Sequence, residues 1–275
     1  MPPEKKQRLD NILVQRGFFS SRSQAAAAVL AGEVSVGGKP VTKAGALTAP
    51  DAEISLKEEP RFVSRGGLKL QCAFERFDLN VAGKVVLDAG ASTGGFTDCL
   101  LSHGAGKVIA VDVSYGQLDW KLRQDTRVEV LERTNIRYLK KEMLSEAPAL
   151  ATFDLSFISL KKVLAAVIKC LEPGFELVIL IKPQFEAGKS SVGSGGVVRD
   201  LEVRRQVLAD IWDFAEAREL KVLGLIESCV RGPKGNIEYL MHLRDSCREG
   251  PDSDAAARRD EAIARIFLQG DSPGN

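Results

Sequence analysis

Val85-Val86-Leu87-Asp88-Ala89-Gly90-Ala91-Ser92-Thr93-Gly94-Gly95-Phe96-Thr97 is the stretch on which the reading of this chain turns. A short apolar run with a β-branched start ends in an acid. A loop of Gly, Ser and Thr follows, and then the helical spacing of Phe96, Leu100 and Leu101 begins. That order is strand, tight turn and helix N-terminus, where an α/β sheet presents backbone N–H groups to a ligand. The glycines are spaced G-x-x-x-G-G, not G-x-G-x-x-G as in a dinucleotide site, and no G-x-x-x-x-G-K-[ST] phosphate loop occurs. An acid just before the glycines favours a ligand carrying positive charge and hydroxyls over a bare pyrophosphate. S-adenosylmethionine, with its sulfonium, ammonium and ribose, fits that description. Taken alone, the loop could also be a plain turn or a site for another nucleotide.

A chain of 275 residues has room for one large domain and a small one. Its 44% apolar and 27% charged residues are ordinary for a globular protein. No apolar run, the short Leu177–Ile181 stretch included, approaches the roughly 20 residues that span a bilayer. Met1-Pro2-Pro3-Glu4-Lys5-Lys6 does not read as a signal peptide. Cysteines at 72, 99, 170, 229 and 247 have neither metal-ligand nor C-x-x-C spacing, and the two histidines, His103 and His242, are isolated. The expectation is a reduced, cytoplasmic protein with no metal and no membrane partner. Net charge is only +1, yet Lys5, Lys6, Arg8, Arg16, Arg22, Lys39 and Lys43 outnumber Glu4, Asp10 and Glu33 in the first 45 residues. A basic face on a small N-terminal module is therefore expected.

That module shows helical periodicity twice. Leu9, Ile12 and Leu13 mark one helix, broken at Gly17; Ser20-Ser21-Arg22-Ser23 caps a second, carrying Ala25, Ala28, Val29 and Leu30. Gly32 ends it, Glu33-Val34-Ser35-Val36-Gly37-Gly38-Lys39 reads as a strand entering a hairpin, and Val41 to Leu56 supplies short strands. The arrangement resembles the S4 RNA-binding domain over about the first 60 residues. That resemblance implies that a basic helical face meets RNA phosphates and shape. Arg8, Arg22, Lys39 and Lys43, with Arg65 beyond the module, are the RNA-binding candidates, each weighed against an ordinary solvated surface charge.

Residues 61–65 read as a linker between the module (1–60) and a larger domain (66–245), followed by a polar tail (246–275). In the larger domain a helix near Gly67–Phe77 precedes strands at Lys84–Asp88, Lys107–Asp112, Val128–Leu131, Phe153–Leu155, Glu176–Ile181, Lys221–Val230 and Ile237–Leu243. Strand–helix alternation predicts an α/β fold with a mostly parallel sheet covered on both faces. The turn Arg231–Asn236 is too short for a crossover, so the last two strands should form an antiparallel hairpin at or near the edge. A seven-stranded sheet of this kind resembles the class I, Rossmann-like methyltransferase fold. The tail reads as partly disordered, with a short amphipathic helix at Ala255–Leu268.

Lys69, Asp154, Lys182 and Glu238 stand out as candidate catalytic residues. Asp154 and Lys182 end neighbouring parallel strands, Lys69 starts the first helix and Glu238 lies in the final strand. Individually, such residues are more often surface ion pairs. As a set they suit methylation of a ribose 2′-hydroxyl, which needs in-line placement and handling of a weakly acidic proton. Lys182 would be the central base or orienting group and Asp154 the acid near the methyl donor, with Lys69 and Glu238 completing the network. Ser64-Arg65-Gly66-Gly67-Leu68-Lys69-Leu70, the glycine loop through Asp98, and Lys182-Pro183-Gln184-Phe185-Glu186 resemble signatures of the TlyA (hemolysin A) family, an S4 domain fused to an FtsJ-like methyltransferase. The resemblance implies S-adenosylmethionine-dependent 2′-O-methylation, typically of cytidines, with ribosomal RNA or ribosomal subunits as partners.

Cofactor contacts are expected from Asp88, Gly90, Ala91, Ser92, Thr93, Gly94, Gly95, Phe96 and Thr97 at the methionine end. Asp112 is expected on the ribose, Val113 and Gln117 on the adenine side, and Asn135 nearby. Phe157 is expected to pack in the core, the alternative being a stack on a flipped base. Three rival functions remain open: base methylation, for which the proline pair of amino-group enzymes and a Pro-Cys nucleophile are absent, a non-catalytic ribosome-assembly factor, and a membrane-lytic protein.

Overall fold

A computed structural model describes residues 5–57, 60–188, 191–193, 195–246 and 254–269. The chain divides into two units, Met1–Pro60 and Arg61–Asn275. In the first, β1 (Gln7–Arg8) leads into α1 (Leu9–Gln15), and α2 (Arg22–Leu30) follows. Ser21 caps α2 by accepting from the Gln24 N–H at 3.3 Å. Then come β2 (Val34–Val36), β3 (Lys39–Pro40), β4 (Leu47–Thr48) and β5 (Ile54–Leu56). β2 pairs antiparallel with β3 and β5, and β1 with β4. Leu9, Ile12, Leu13, Ala25 and Val29 meet Val34 and Ile54 in a small core, the positions at which the helical spacing places apolar residues.

The second unit contains α3 (Arg65–Arg76), β6 (Val85–Ala89), α4 (Gly95–Ser102), β7 (Lys107–Val111), α5 (Trp120–Arg123), β8 (Val128–Leu131) and β9 (Leu150–Phe153). It continues with α6 (Leu164–Ile168), β10 (Glu176–Ile181), α7 (Pro183–Glu186), α8 (Leu201–Glu216), β11 (Leu220–Glu227), β12 (Tyr239–Asp245) and α9 (Ala255–Gln269). Among the described residues these strands form one seven-stranded sheet in the order β11-β12-β10-β9-β6-β7-β8. β12 alone runs antiparallel to its neighbours, with β11 outside it at the edge, as the short connecting turn requires. Alternate residues of β10 face opposite cores: Leu177, Ile179 and Ile181 one way, Val178 and Leu180 the other. On one face they meet α6, α8 and α9 through Leu164, Leu208, Trp212 and Ile263; on the other they meet α3 and α4 through Leu70 and Leu100.

Several boundaries differ from the sequence reading. β9 starts and ends earlier than Phe153–Leu155, because Leu150 to Phe153 are fully covered and the chain turns away at Asp154. Glu238 lies just before β12 rather than inside it. The segment read as a linker contributes Phe62, 4% exposed, to the core of the second unit, and α3 already begins at Arg65. α9 packs on α8 and β11 as part of that unit, whereas residues 247–253 and 270–275 of the expected tail lie outside the described residues.

Candidate active site

The chain runs β6, β7, β8 outward in one direction and then crosses back to β9 on the other side of β6. That reversal opens a crevice at the carboxyl ends of β6, β7 and β9, where open α/β sheets bind ligands. Two adjoining cavities lie there, of about 380 and 320 Å³, sharing Gly90, Ser92, Asp154 and Ser156. The glycine loop follows β6. Gly90 has φ +87°, and a Cβ there would stand 2.7 Å from the Asp154 carbonyl oxygen, so the close approach of the two loops requires glycine.

Asp112, Val113, Gln117 and Asn135 line the larger cavity. The Asp112 carboxylate is oriented by two backbone donors, Ser92 N–H at 2.8 Å and Ser114 N–H at 2.7 Å. Asn135 spends its side-chain oxygen on the Arg137 N–H at 3.1 Å. Ala91, Thr93, Gly95 and Phe96 line the smaller cavity. Gly94 caps α4 in the left-handed region. Asp88 and Thr97, expected at the cofactor, are instead wholly buried beneath the loop. The Thr97 hydroxyl donates to Asp88 at 2.7 Å and the Thr152 hydroxyl donates at 3.1 Å. Burial raises the Asp88 carboxyl to about 7 against the lowering effect of those hydroxyls.

Three of the four candidate catalytic residues, Lys69, Asp154 and Lys182, line the smaller cavity, and the buried Glu238 joins them through Lys69. In the β10–β12 ladder Ile181 faces Tyr239, so the next step outward sets Lys182 beside Glu238. Asp154 follows β9, the parallel neighbour of β10. Lys182 Nζ lies 2.6 Å from Asp154 Oδ1 and donates to Ser156 Oγ at 3.1 Å. Lys69, in the second turn of α3, lies 2.6 Å from Glu238 Oε2, and both side chains are buried. Gly232 closes over that carboxylate; a Cβ there would meet Glu238 Cδ at 2.6 Å. The constellation is two ion pairs side by side, each lysine with its own carboxylate.

Arg65 lines the same cavity and donates to the Arg231 carbonyl at 2.9 Å. In the first unit, Arg8 and Arg22 both bond Asp10, at 2.8 and 3.1 Å, while Lys39 and Lys43 are exposed.

Sequence reasoning missed Ser64, Arg231 and Gly232 in the smaller cavity, and Leu155, Ser156 and Ile158 in the larger one. Phe157 is not in the core: its ring is 91% exposed at the cavity mouth, on a backbone with φ +63°. The acid–x–Ser–Phe run leaving a parallel strand was the available signal.

Residues 62–245 match the FtsJ-like methyltransferase family, and residues 7–54 match the S4 domain. The chain is 45% identical over 242 residues to the 16S/23S rRNA (cytidine-2′-O)-methyltransferase TlyA of Mycobacterium tuberculosis, spanning 87% of this chain and 90% of that one. This chain belongs to the TlyA family. Hemolysin A of Brachyspira hyodysenteriae is another similar relative, 42% identical over 237 residues, 86% of this chain and 99% of that one. A solved structure from Streptococcus thermophilus, 40% identical, superposes with a TM-score of 0.72 over 98% of this chain and 99% of that one. Membership in the TlyA family joins both units in one description, an S4 domain followed by an FtsJ-like methyltransferase.

Proposed function

We propose that this chain is an S-adenosylmethionine-dependent ribosomal RNA methyltransferase that methylates a ribose 2′-hydroxyl, of cytidine as in its named relatives, with Lys69, Asp154, Lys182 and Glu238 as the catalytic set. The observation that carries the reading is the pair of Lys–carboxylate contacts, 2.6 Å each, one buried and one nearly so, beside a cavity lined by the glycine loop. The larger cavity has the size of a nucleoside-scale site. Gly90 to Phe96 would hold the methionine end, Asp112 the ribose hydroxyls, and Val113 and Gln117 the adenine side. When bound, S-adenosylmethionine supplies a methyl group already activated by its sulfonium.

The residues of the chain do the rest. An ammonium has three donors. Lys182 spends two on Asp154 and Ser156, leaving one for the ribose hydroxyl. That contact orients the oxygen and stabilises the negative charge that develops as the oxygen takes the methyl group and its proton passes to solvent at the open cavity. Lys69 and Glu238 place a second neutralised pair beside Lys182, so the crowded cations do not repel one another. The exposed Phe157 ring, 5.1 Å from that of Phe185, offers a face on which a base turned out of its helix can stack. Arg8, Arg22, Lys39 and Lys43 are proposed to meet RNA phosphates through the S4 domain, and Arg65 to meet them beside the catalytic cavity.

Membrane lysis has no support of this kind: no helix among the described residues is long and apolar enough to cross a membrane. The deciding experiment transfers labelled methyl from S-adenosylmethionine to purified ribosomal subunits, followed by nuclease digestion and nucleoside analysis. Label in 2′-O-methylcytidine is expected. Label on a base would overturn the role of the four residues, and no label in either subunit or in free ribosomal RNA would overturn the substrate.

A further inference from the structure

The loop between β9 and the turn at Leu160 holds a shape that its own residues do not favour. Phe157 has φ +63°, a region bulky side chains rarely adopt, and its phenyl ring stands in solvent. Such a conformation persists only where the surroundings impose it. The surroundings here are α7 and the residue before it, which grip the loop at three points. Lys182 donates to Ser156 at 3.1 Å, the Phe185 ring lies 5.1 Å from that of Phe157, and Glu186 takes the far end. Glu186 Oε2 accepts from the Ser159 hydroxyl at 2.6 Å and Oε1 from the Leu160 N–H at 2.8 Å.

Those two donors are the cap and the first amide of the short 3₁₀ turn Leu160–Lys162, where the loop rejoins regular structure. Both bonds to the carboxylate are short, and burial pushes that carboxyl above its ordinary value against the lowering effect of the two donors. Lys182 and Glu186 stand four residues apart on one rigid segment, so the same segment that holds the catalytic ammonium holds the loop.

We propose that Glu186 is a positioning residue for the acceptor nucleotide: it clamps the far end of residues 155–159 so that Phe157 presents its ring at the cavity mouth. The proposal rests on the RNA-methylating reading of the site. Glu186 acts through the loop and touches neither donor nor acceptor.

The test is a double-mutant cycle of Glu186→Ala and Phe157→Ala on the full chain, read as steady-state methyl transfer to ribosomal subunits. Glu186→Ala is expected to raise KM for RNA about tenfold, a size typical of coupled neighbours, with kcat changed much less. Combined with Phe157→Ala it should be no worse than Phe157→Ala alone. Losses that multiply would overturn the proposal. Glu186→Gln can still accept from Leu160 and donate to the Ser159 oxygen, so it should behave as the parent. Equal damage from Gln and Ala would assign the effect to charge and overturn positioning.

Amide hydrogen exchange supplies an arm that does not depend on catalysis. The Leu160 amide should exchange slowly in the parent and in Glu186→Gln, and fast in Glu186→Ala, with β6 and β10 unchanged. Equal Leu160 exchange in parent and Ala variant overturns the clamp even if the parent proves to methylate nothing. Should Glu186→Ala fail to fold, Ser159→Ala removes one of the two bonds and is expected to raise KM in the same direction; an unchanged KM there would overturn it.

Discussion

Among the described residues of the first unit a single carboxylate, Asp10, is buried, while its partners Arg8 and Arg22 keep about half of their side-chain surface in water. In the second unit Lys69 and Glu238 are both buried, and Lys182 and Asp154 nearly so. The same chemical pairing therefore serves two ends. A buried acid under exposed guanidiniums fixes where two cations stand and leaves their outer faces in water, where the proposed RNA phosphates would meet them. One buried and one nearly buried pair beside a cavity concentrate charge in a poorly solvated space, where a donor aimed at one oxygen would have its largest effect. The cost differs accordingly. Breaking the first arrangement exposes charges to water; breaking the second strands a charge away from it.

The largest effect should come from Lys182→Ala, which removes the ammonium and keeps the strand. Methyl transfer should fall by about 10²–10³-fold, the usual worth of one donor aimed at a developing oxyanion, with binding of S-adenosylmethionine within a few-fold of the parent by calorimetry. Near-parent turnover would remove Lys182 from the mechanism. Lys69→Met tests the buried pair beside it. Glu238 is then left unpaired, and unfolding by denaturant should show a loss of about 3 kcal/mol. A loss as small as a surface pair gives would mean that water reaches Glu238, and the contrast between the units would fail.

Asp88 sharpens the comparison from within the second unit, because it is buried against hydroxyls rather than against a cation. Its folded carboxyl titrates near 7, above the unfolded value near 3.8. The stabilising contribution is thus full below pH 3.8 and is lost as pH rises through about 7. Between pH 5 and 8 the parent should lose roughly 2–3 kcal/mol relative to Asp88→Asn, since each tenfold difference in proton affinity between the folded and unfolded chain is worth about 1.4 kcal/mol. Parallel stability curves for the two proteins would show that Asp88 is ionised throughout.

How much of this is legible in the chain depends on whether the deciding contacts are local. Apolar runs bounded by turns mark the seven strands, and the short Arg231–Asn236 turn forces the antiparallel hairpin at the edge. The loop from Gly90 to Gly95 shows itself because glycine is needed where two loops nearly touch. Phe157 reads as core in the sequence because an aromatic after an apolar strand ordinarily continues inward. Its exposure is imposed from Phe185 and Glu186, distant in sequence. Phe62 reads as linker because one aromatic in a polar stretch carries no periodicity. Asp88 resembles a ligand contact because nothing local reveals that Thr152, 64 residues away, covers it. Arg8 and Arg22 are legible as basic residues but not as a pair, since Asp10 joins them through the fold.

That joining gives the smallest and most selective prediction. The Arg8 hydrogen bond, with Arg22 adding to it, holds the Asp10 carboxyl down at about 2, below its ordinary value near 3.8. Its contribution is therefore present above pH 3.8 and is lost as pH falls through about 2, leaving neutral conditions unaffected. Asp10→Asn at neutral pH should cost only about 1 kcal/mol, because both guanidiniums are half in water and screening discounts the pairs. The consequence for RNA should be of a different kind. Freed of Asp10, Arg8 and Arg22 add a net positive charge but lose their fixed spacing. If the pair acts by charge alone, Asp10→Asn should bind ribosomal RNA more tightly, with a steeper salt dependence. If it acts by placement, affinity should fall about two- to five-fold with the salt slope unchanged, and the arrangement in the structure favours placement. A titration at two salt concentrations separates these outcomes, and tighter binding with a steeper slope would reduce Asp10 to a fold contact under an ordinary basic surface.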